Sequence, residues 1–137
     1  MLRIHALVME QLGDELELEQ RLPLSSYDVL VHLSGATGGQ RRMTDLADDV
    51  LMTKSGLTRV VDVLEKQGLV ERVPSEQDAR GLYAKLTPQG RAKYRAAHKV
   101  HVRGIRAHFL HKLSDNQLQN LAKAWHAVSP DLRAKDG

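Results

Sequence analysis

The chain has 137 residues, 42% of them hydrophobic and 27% charged, with a formal net charge of +3. That length holds one domain with a proper core and not a second, and the composition is ordinary for a soluble globular protein. Cysteine is absent, which excludes disulfides, thiolate metal sites and thiol redox sensing. With no apolar run approaching a membrane span and no signal peptide at the start, the expected compartment is the cytoplasm, with no membrane partner.

Aromatic residues make up only 4%, so the core must be built from Leu, Val and Ala. Residues 2–21 read as a helix, with Ile4, Val8, Leu12 and Leu16 in an i, i+4 row and Pro23 as its stop. Ser25 or Ser26 is the expected cap of a second helix carrying Val29, Leu30 and Leu33, ending near Gly35. GATGGQ, residues 35–40, reads as a flexible connector. Thr44 is the expected cap of a short third helix, followed by a tight link through Leu51 and Met52.

Thr53 caps a fourth helix with Leu57, Val61 and Leu64 on one face, and Gly68 is its expected stop. Leu69 to Val73 and Leu82 to Leu86 then form two short strands around the polar, glycine-ended turn PSEQDARG. Thr87-Pro88 opens a fifth helix reaching about residue 112, with an apolar row through Val102, Ile105, Phe109 and Leu113. Ser114 and Gln117 make a capping box for a last helix carrying Leu118, Leu121, Trp125 and Val128. At this spacing Trp125 reads as core or interface. Long amphipathic terminal helices around so small a centre predict a partner, most economically a second copy of the chain.

Charge is unevenly spread. The first segment holds Glu10, Asp14, Glu15, Glu17 and Glu19 against Arg3 and Arg21, whereas residues 91–112 hold seven Lys and Arg and no acid. The two segments are suited to pair, within one chain or between two, or to stand as two solvated faces of opposite sign.

The run TDLADDVLMTKSGLTRVVDVLEKQG has the proportions of a helix-turn-helix. The first turn of its second helix carries Thr53, Lys54, Ser55, Gly56, Thr58 and Arg59. Small residues there permit close approach to the major groove, and short polar side chains reach base edges. The following hairpin sharpens the reading. Arg80 at its tip suits a narrow minor groove, whose concentrated negative potential attracts guanidinium, and Asp78 is placed to hold that arginine.

From Thr44 to Gly90 the chain resembles the MarR family of winged-helix transcription regulators. SGLTRVVDVLEKQGLVER, the Asp78-x-Arg80 pair and Leu86-Thr87-Pro88-Gln89-Gly90 carry the resemblance. It implies a mostly α winged-helix fold with a small hairpin wing, its DNA-binding part at about 25–90 and dimerisation helices at about 1–22 and 88–129. It further implies a homodimer acting as a repressor on a pseudo-palindromic operator in double-stranded DNA. A small anionic or phenolic effector would release it from a cleft between the terminal helices and the winged helix.

Carried over residue by residue, Thr53, Lys54, Ser55, Thr58 and Arg59 become base and phosphate contacts. Arg80 becomes the minor-groove contact with Asp78 in support, and the acidic first and basic fifth helices fit an intersubunit pairing. With the first helix starting at Met1, a trimmed dimer interface is expected. Acids and bases nearly cancel across the helix-turn-helix, which predicts modest bulk attraction to DNA.

Two further readings stand beside this one. His98, His101, His108 and His111 lie on the fifth helix in i, i+3 pairs, close enough for one metal ion. A zinc-responsive regulator would use His98 and His101, but with no carboxylate between Arg91 and Lys112 it would need ligands such as Glu10 or Asp14. The expectation is interface or solvated histidines, with no metal and no cofactor. The other alternative is a winged helix that serves only protein interaction. No nucleophile elbow, phosphate loop or metalloprotease motif is present, so an enzyme is not expected.

Overall fold

The computed structural model describes residues 2–75 and 81–131. Helix α1 (Leu2–Gln20) buries only Leu12 and Leu16 of its apolar row, while Ile4 and Leu7 stay exposed. Helix α2 (Leu24–Gly35) buries Tyr27, Val29, Leu30 and Leu33. Its cap position is taken by Pro23, and Ser26 is buried inside the first turn. Neither serine caps it, because Pro23 already fixes the chain's entry into the helix.

The GATGGQ segment is more ordered than its composition predicts. Gly38 and Gly39, at φ 69° and 67°, form a 3-10 turn. Gln40 then begins strand β1 (Gln40–Arg42), which runs directly into α3 (Met43–Asp49). Arg42 therefore occupies the cap position and Thr44 lies within the helix, correcting the expected cap. Helix α4 (Lys54–Lys66) follows, with Leu57, Val61 and Leu64 buried.

The hairpin consists of β2 (Val70–Pro74) and β3 (Leu82–Leu86). The sheet has three strands in the order β1-β3-β2, all antiparallel, with Val70 opposite Leu86 and Arg41 opposite Ala84. Helix α5 (Pro88–His108) ends four residues short of the expected boundary, where Phe109 leaves helical geometry and Leu110–Lys112 form a 3-10 turn. Helix α6 (Asp115–Val128) starts with the anticipated Ser114–Gln117 capping box, both reciprocal bonds being present.

Leucine and valine fill the core, joined by Ala47, Ala84, Ala97 and one aromatic ring, Tyr27. Helix α5 reaches it through Ala97, Val100 and Gly104, and not through the larger row 102/105/109/113. The reason is close approach. A Cβ on Gly104 would stand 2.8 Å from Leu12 Cδ2 and 2.6 Å from Glu15 Oε2, so the present packing of α1 on α5 uses the absence of a side chain there.

That contact also decides the charge pairing. Arg103 binds both carboxylate oxygens of Glu19 at 2.5 and 2.6 Å. His108 Nε2 bonds Glu15, and Lys93 Nζ donates to the Gln20 carbonyl at the end of α1. Glu15 and Glu19 of the acidic helix thus pair with the basic helix within one chain, the first of the two arrangements the charge pattern allows. Trp125 is 44% exposed and α6 buries no residue, so Trp125 is not core in the single chain. Among the described residues no helix is long and apolar enough to cross a membrane.

The start of α5 is fixed by contacts with the end of α4. Thr87 N–H donates to the Leu69 carbonyl (3.1 Å), its hydroxyl to the Gly68 carbonyl (2.7 Å), and its Oγ1 accepts from Gly90 N–H (3.0 Å). A Cβ on Gly90 would lie 1.9 Å from the Leu69 carbonyl oxygen. Gly90→Ala should therefore lower the unfolding free energy by about 2–3 kcal/mol through forced backbone displacement, measured by urea denaturation.

Candidate nucleic-acid interface

The first turn of α4 is held open to solvent by its own cap. Thr53 Oγ1 accepts from Gly56 N–H at 3.0 Å and lies 3.3 Å from Ser55 Oγ. A Cβ on Gly56 would stand 3.0 Å from Thr53 Oγ1, a tight contact with the cap. Thr58 donates its hydroxyl to the Lys54 carbonyl at 2.8 Å, leaving the oxygen lone pairs outward. Thr53, Lys54, Ser55, Thr58 and Arg59 are all exposed, while Leu57 and Val61 bury the opposite face. The structure thus exposes the five expected side chains over the first two turns, at the positive end of the helix dipole.

The wing is joined to this helix by one arginine that the sequence reading counted only as bulk charge. From β2, Arg72 donates through Nη2 to Asp62 (2.7 Å) and to the Thr58 carbonyl (3.4 Å). It also donates through Nη1 to Glu65 (3.0 Å), whose other oxygen accepts the Arg72 backbone N–H (3.1 Å). A signal existed in the i, i+3 acids of α4, but their partner lies beyond a turn. At the other edge Arg41 pairs with Asp49 at 2.8 Å, and Arg42 lies over the Tyr83 ring at 5.7 Å.

Near neutrality is therefore an internal arrangement. Asp49, Asp62 and Glu65 are matched away from the first turn of α4. Among the described residues Lys54 and Arg59 form no ion pair. The expected minor-groove pair, Asp78 and Arg80, lies outside the described residues. The hairpin on either side is closed by Ser75 N–H donating to the Gly81 carbonyl at 2.9 Å.

His98 and His101 of α5 meet α2. Tyr27 hydroxyl lies 3.1 Å from His98 Nδ1, and the Tyr27 and His101 rings are 4.8 Å apart. Buried His101 Nδ1 has no hydrogen-bond partner. Burial, and then neighbouring His98, lower the His101 pKa below its usual 6.5, with Asp28 opposing. Burial raises the Asp28 pKa, against His32 and His101. Burial, then Tyr94 and Asp28, push the Tyr27 phenol up to about 12. Among the described residues no three His, Asp or Glu side chains converge into a metal-binding group.

Two outcomes follow from these contacts. Arg72→Met should cost about 1–2 kcal/mol in urea denaturation, a value tempered by the half-exposed acids it leaves. Because the fold holds His101 neutral, the unfolded chain takes up a proton that the fold does not as pH falls below 6.5. Stability is thereby lost on acidification through that window. Asp28, favouring its protonated form in the fold, acts with the opposite sign at lower pH. Thermal melts at pH 7 and pH 5.5 should show a smaller drop for His101→Phe than for the parent chain.

Comparisons with known proteins agree with this geometry. A model of the MarR family matches residues 22–81. The solved structure of AbsC, a MarR family transcriptional regulator from Streptomyces coelicolor, is 34% identical. It aligns over 98% of this chain and 90% of its own with a TM-score of 0.85. Sco3205, a MarR family regulator from the same organism solved in complex with DNA, is 30% identical over 96% of this chain and 85% of its own, also at 0.85. The HTH-type transcriptional regulator FarR of Neisseria gonorrhoeae is 37% identical over 59 residues, 43% of this chain and 40% of its own. The chain spans about half or less of the length of the curated relatives it matches. With its wing, its exposed α4 turn and relatives aligned over nearly their whole length, the chain belongs to the MarR family of transcriptional regulators.

Proposed function

We propose that this regulator binds a pseudo-palindromic operator as a homodimer and represses transcription in the cytoplasm until a small anionic or phenolic effector releases it. The observation that carries the reading is the exposed first turn of α4. Its cationic side chains have no competing ion pairs among the described residues, while Asp49, Asp62 and Glu65 are matched elsewhere. Residues about 25–90 form the DNA-binding part, and the helices at about 1–22 and 88–129 join two copies. That the relative Sco3205 was solved in complex with DNA supports DNA binding here.

Dimerisation is supported by apolar surface without a partner. Ile4, Val8, Ile105, Phe109, Leu121 and Trp125 line an open cleft of about 420 Å³. Leu2, Ile4, Leu7 and Val128 beside it are more than half exposed. Two copies would place their α4 helices in successive major grooves about 34–36 Å apart. A second cleft, of about 480 Å³ between α1, α2 and α5, supports effector control. It sets Ser25, Tyr27, Asp28 and His101 against Met9, Leu12, Leu24 and Ile105. The unpartnered His101 Nδ1 suits a phenol hydroxyl donor.

The test is fluorescence anisotropy on DNA from upstream of the protein's own gene, at ~0.15 M salt with excess competitor. Saturation at two protomers per site is expected. Arg80→Ala should weaken binding by about 1–3 kcal/mol without unfolding the protein. A less than few-fold loss in an intact dimer would remove the wing from the mechanism.

A further inference from the structure

The α3–α4 turn contains a leucine at a position that both its backbone and its side chain oppose. Leu51 N–H donates to the Asp48 carbonyl (3.3 Å) and Met52 N–H to the Ala47 carbonyl (3.0 Å). These are the paired bonds of a helix end whose next residue is left-handed, and glycine is favoured there. Leu51 has φ 56°. The same bond pair ends α4, with Gly68 N–H to the Glu65 carbonyl and Leu69 N–H to the Leu64 carbonyl. There the left-handed residue, at φ 74°, is glycine.

Side-chain hydration opposes leucine as well. Leu51 is 93% exposed, more than any other large hydrophobic residue among those described. It stands apart from the apolar cleft of α1, α5 and α6, and its neighbours Asp48, Thr53 and Lys54 are exposed and polar. A lone leucine amid polar residues does not build a protein interface, which requires a contiguous apolar patch. Arg21 also takes a left-handed φ, 49°, but its charged side chain is at home in water. Nothing among the described residues compensates Leu51.

Its place in the chain indicates what does. Leu51 lies two residues before Thr53, the cap of α4, and so at the mouth of the turn assigned to DNA. We propose that Leu51 is a further DNA-contacting residue, packing its isobutyl group on the apolar surface that thymine methyls and deoxyribose rings present beside α4. The inference rests on the DNA-binding reading above. It adds a contact that the polar residues of α4 cannot supply, namely apolar discrimination at the edge of the groove.

The experiment measures stability and affinity on the same variants. Leu51→Gly removes the side chain and relieves the backbone. Leu51→Asn keeps a left-handed-tolerant side chain of similar length but polar. The probe is the duplex that the wild-type protein enriches from a random-sequence library. Both variants should melt no lower than wild type, remain in the wild-type oligomeric state and bind roughly three- to ten-fold more weakly, the loss expected for part of a buried leucine.

Replacing thymine by uracil in the duplex separates the two apolar sources. A wild-type loss matching that of the variants assigns the contact to methyls, and an unchanged wild type assigns it to sugars. Affinity equal to wild type in both variants overturns the inference while leaving DNA binding intact. So does a fall in melting temperature that tracks the fall in affinity, since Leu51 would then be structural. A wild type that enriches no duplex brings down the DNA-binding reading and this inference with it.

Discussion

The architecture turns on the contact between the start of α5 and the end of α4. Gly68 takes a left-handed backbone, Thr87 returns one bond to its carbonyl and another to that of Leu69, and Gly90 leaves room for the Leu69 carbonyl itself. Four chain segments meet within these few residues: the end of α4, the start of β2, the end of β3 and the start of α5. The direction of the long helix relative to the winged helix is set here. Any side chain at Gly90 must displace backbone, which a close-packed interior resists.

A second constraint works in the opposite direction, from the wing back to the recognition helix. Arg72 holds β2 against α4 through two acids and a carbonyl. Hairpin and helix therefore form one body, and a displacement of either carries the other. The exposed side chains of Lys54, Ser55 and Arg59 take no part in this network.

Much of this was legible in the sequence where the governing interactions are local. The caps at Thr53, Thr87 and Ser114 are each read within four residues, and Leu57, Val61 and Leu64 bury on the face their spacing predicts. Apart from the misplaced caps of α2 and α3 and the early end of α5, the misses are non-local. Strand β1 is three polar residues at a sheet edge, with no alternation to detect. The packing face of α5 is written in alanine and glycine, which carry little hydrophobic signal yet permit the approach of α1. The partner of Arg72 is visible only once the hairpin folds back on α4. Exposure of Lys54, Ser55, Thr58 and Arg59 follows from the helical period, whereas the expected positions Asp78 and Arg80 lie beyond the described residues.

The pairing of α1 with α5 inside one chain has a consequence for assembly. Glu15 and Glu19 are already committed to His108 and Arg103, and the cleft left open beside them is lined mainly by apolar side chains. Under the dimeric reading, subunit association and DNA binding then respond to ionic strength in different ways. Contact through that apolar cleft is insensitive to screening or strengthened by salting-out ions, whereas each phosphate contact weakens as counterions accumulate. Rising salt would strip the protein from DNA as an intact pair, ready to rebind without having to find its partner again.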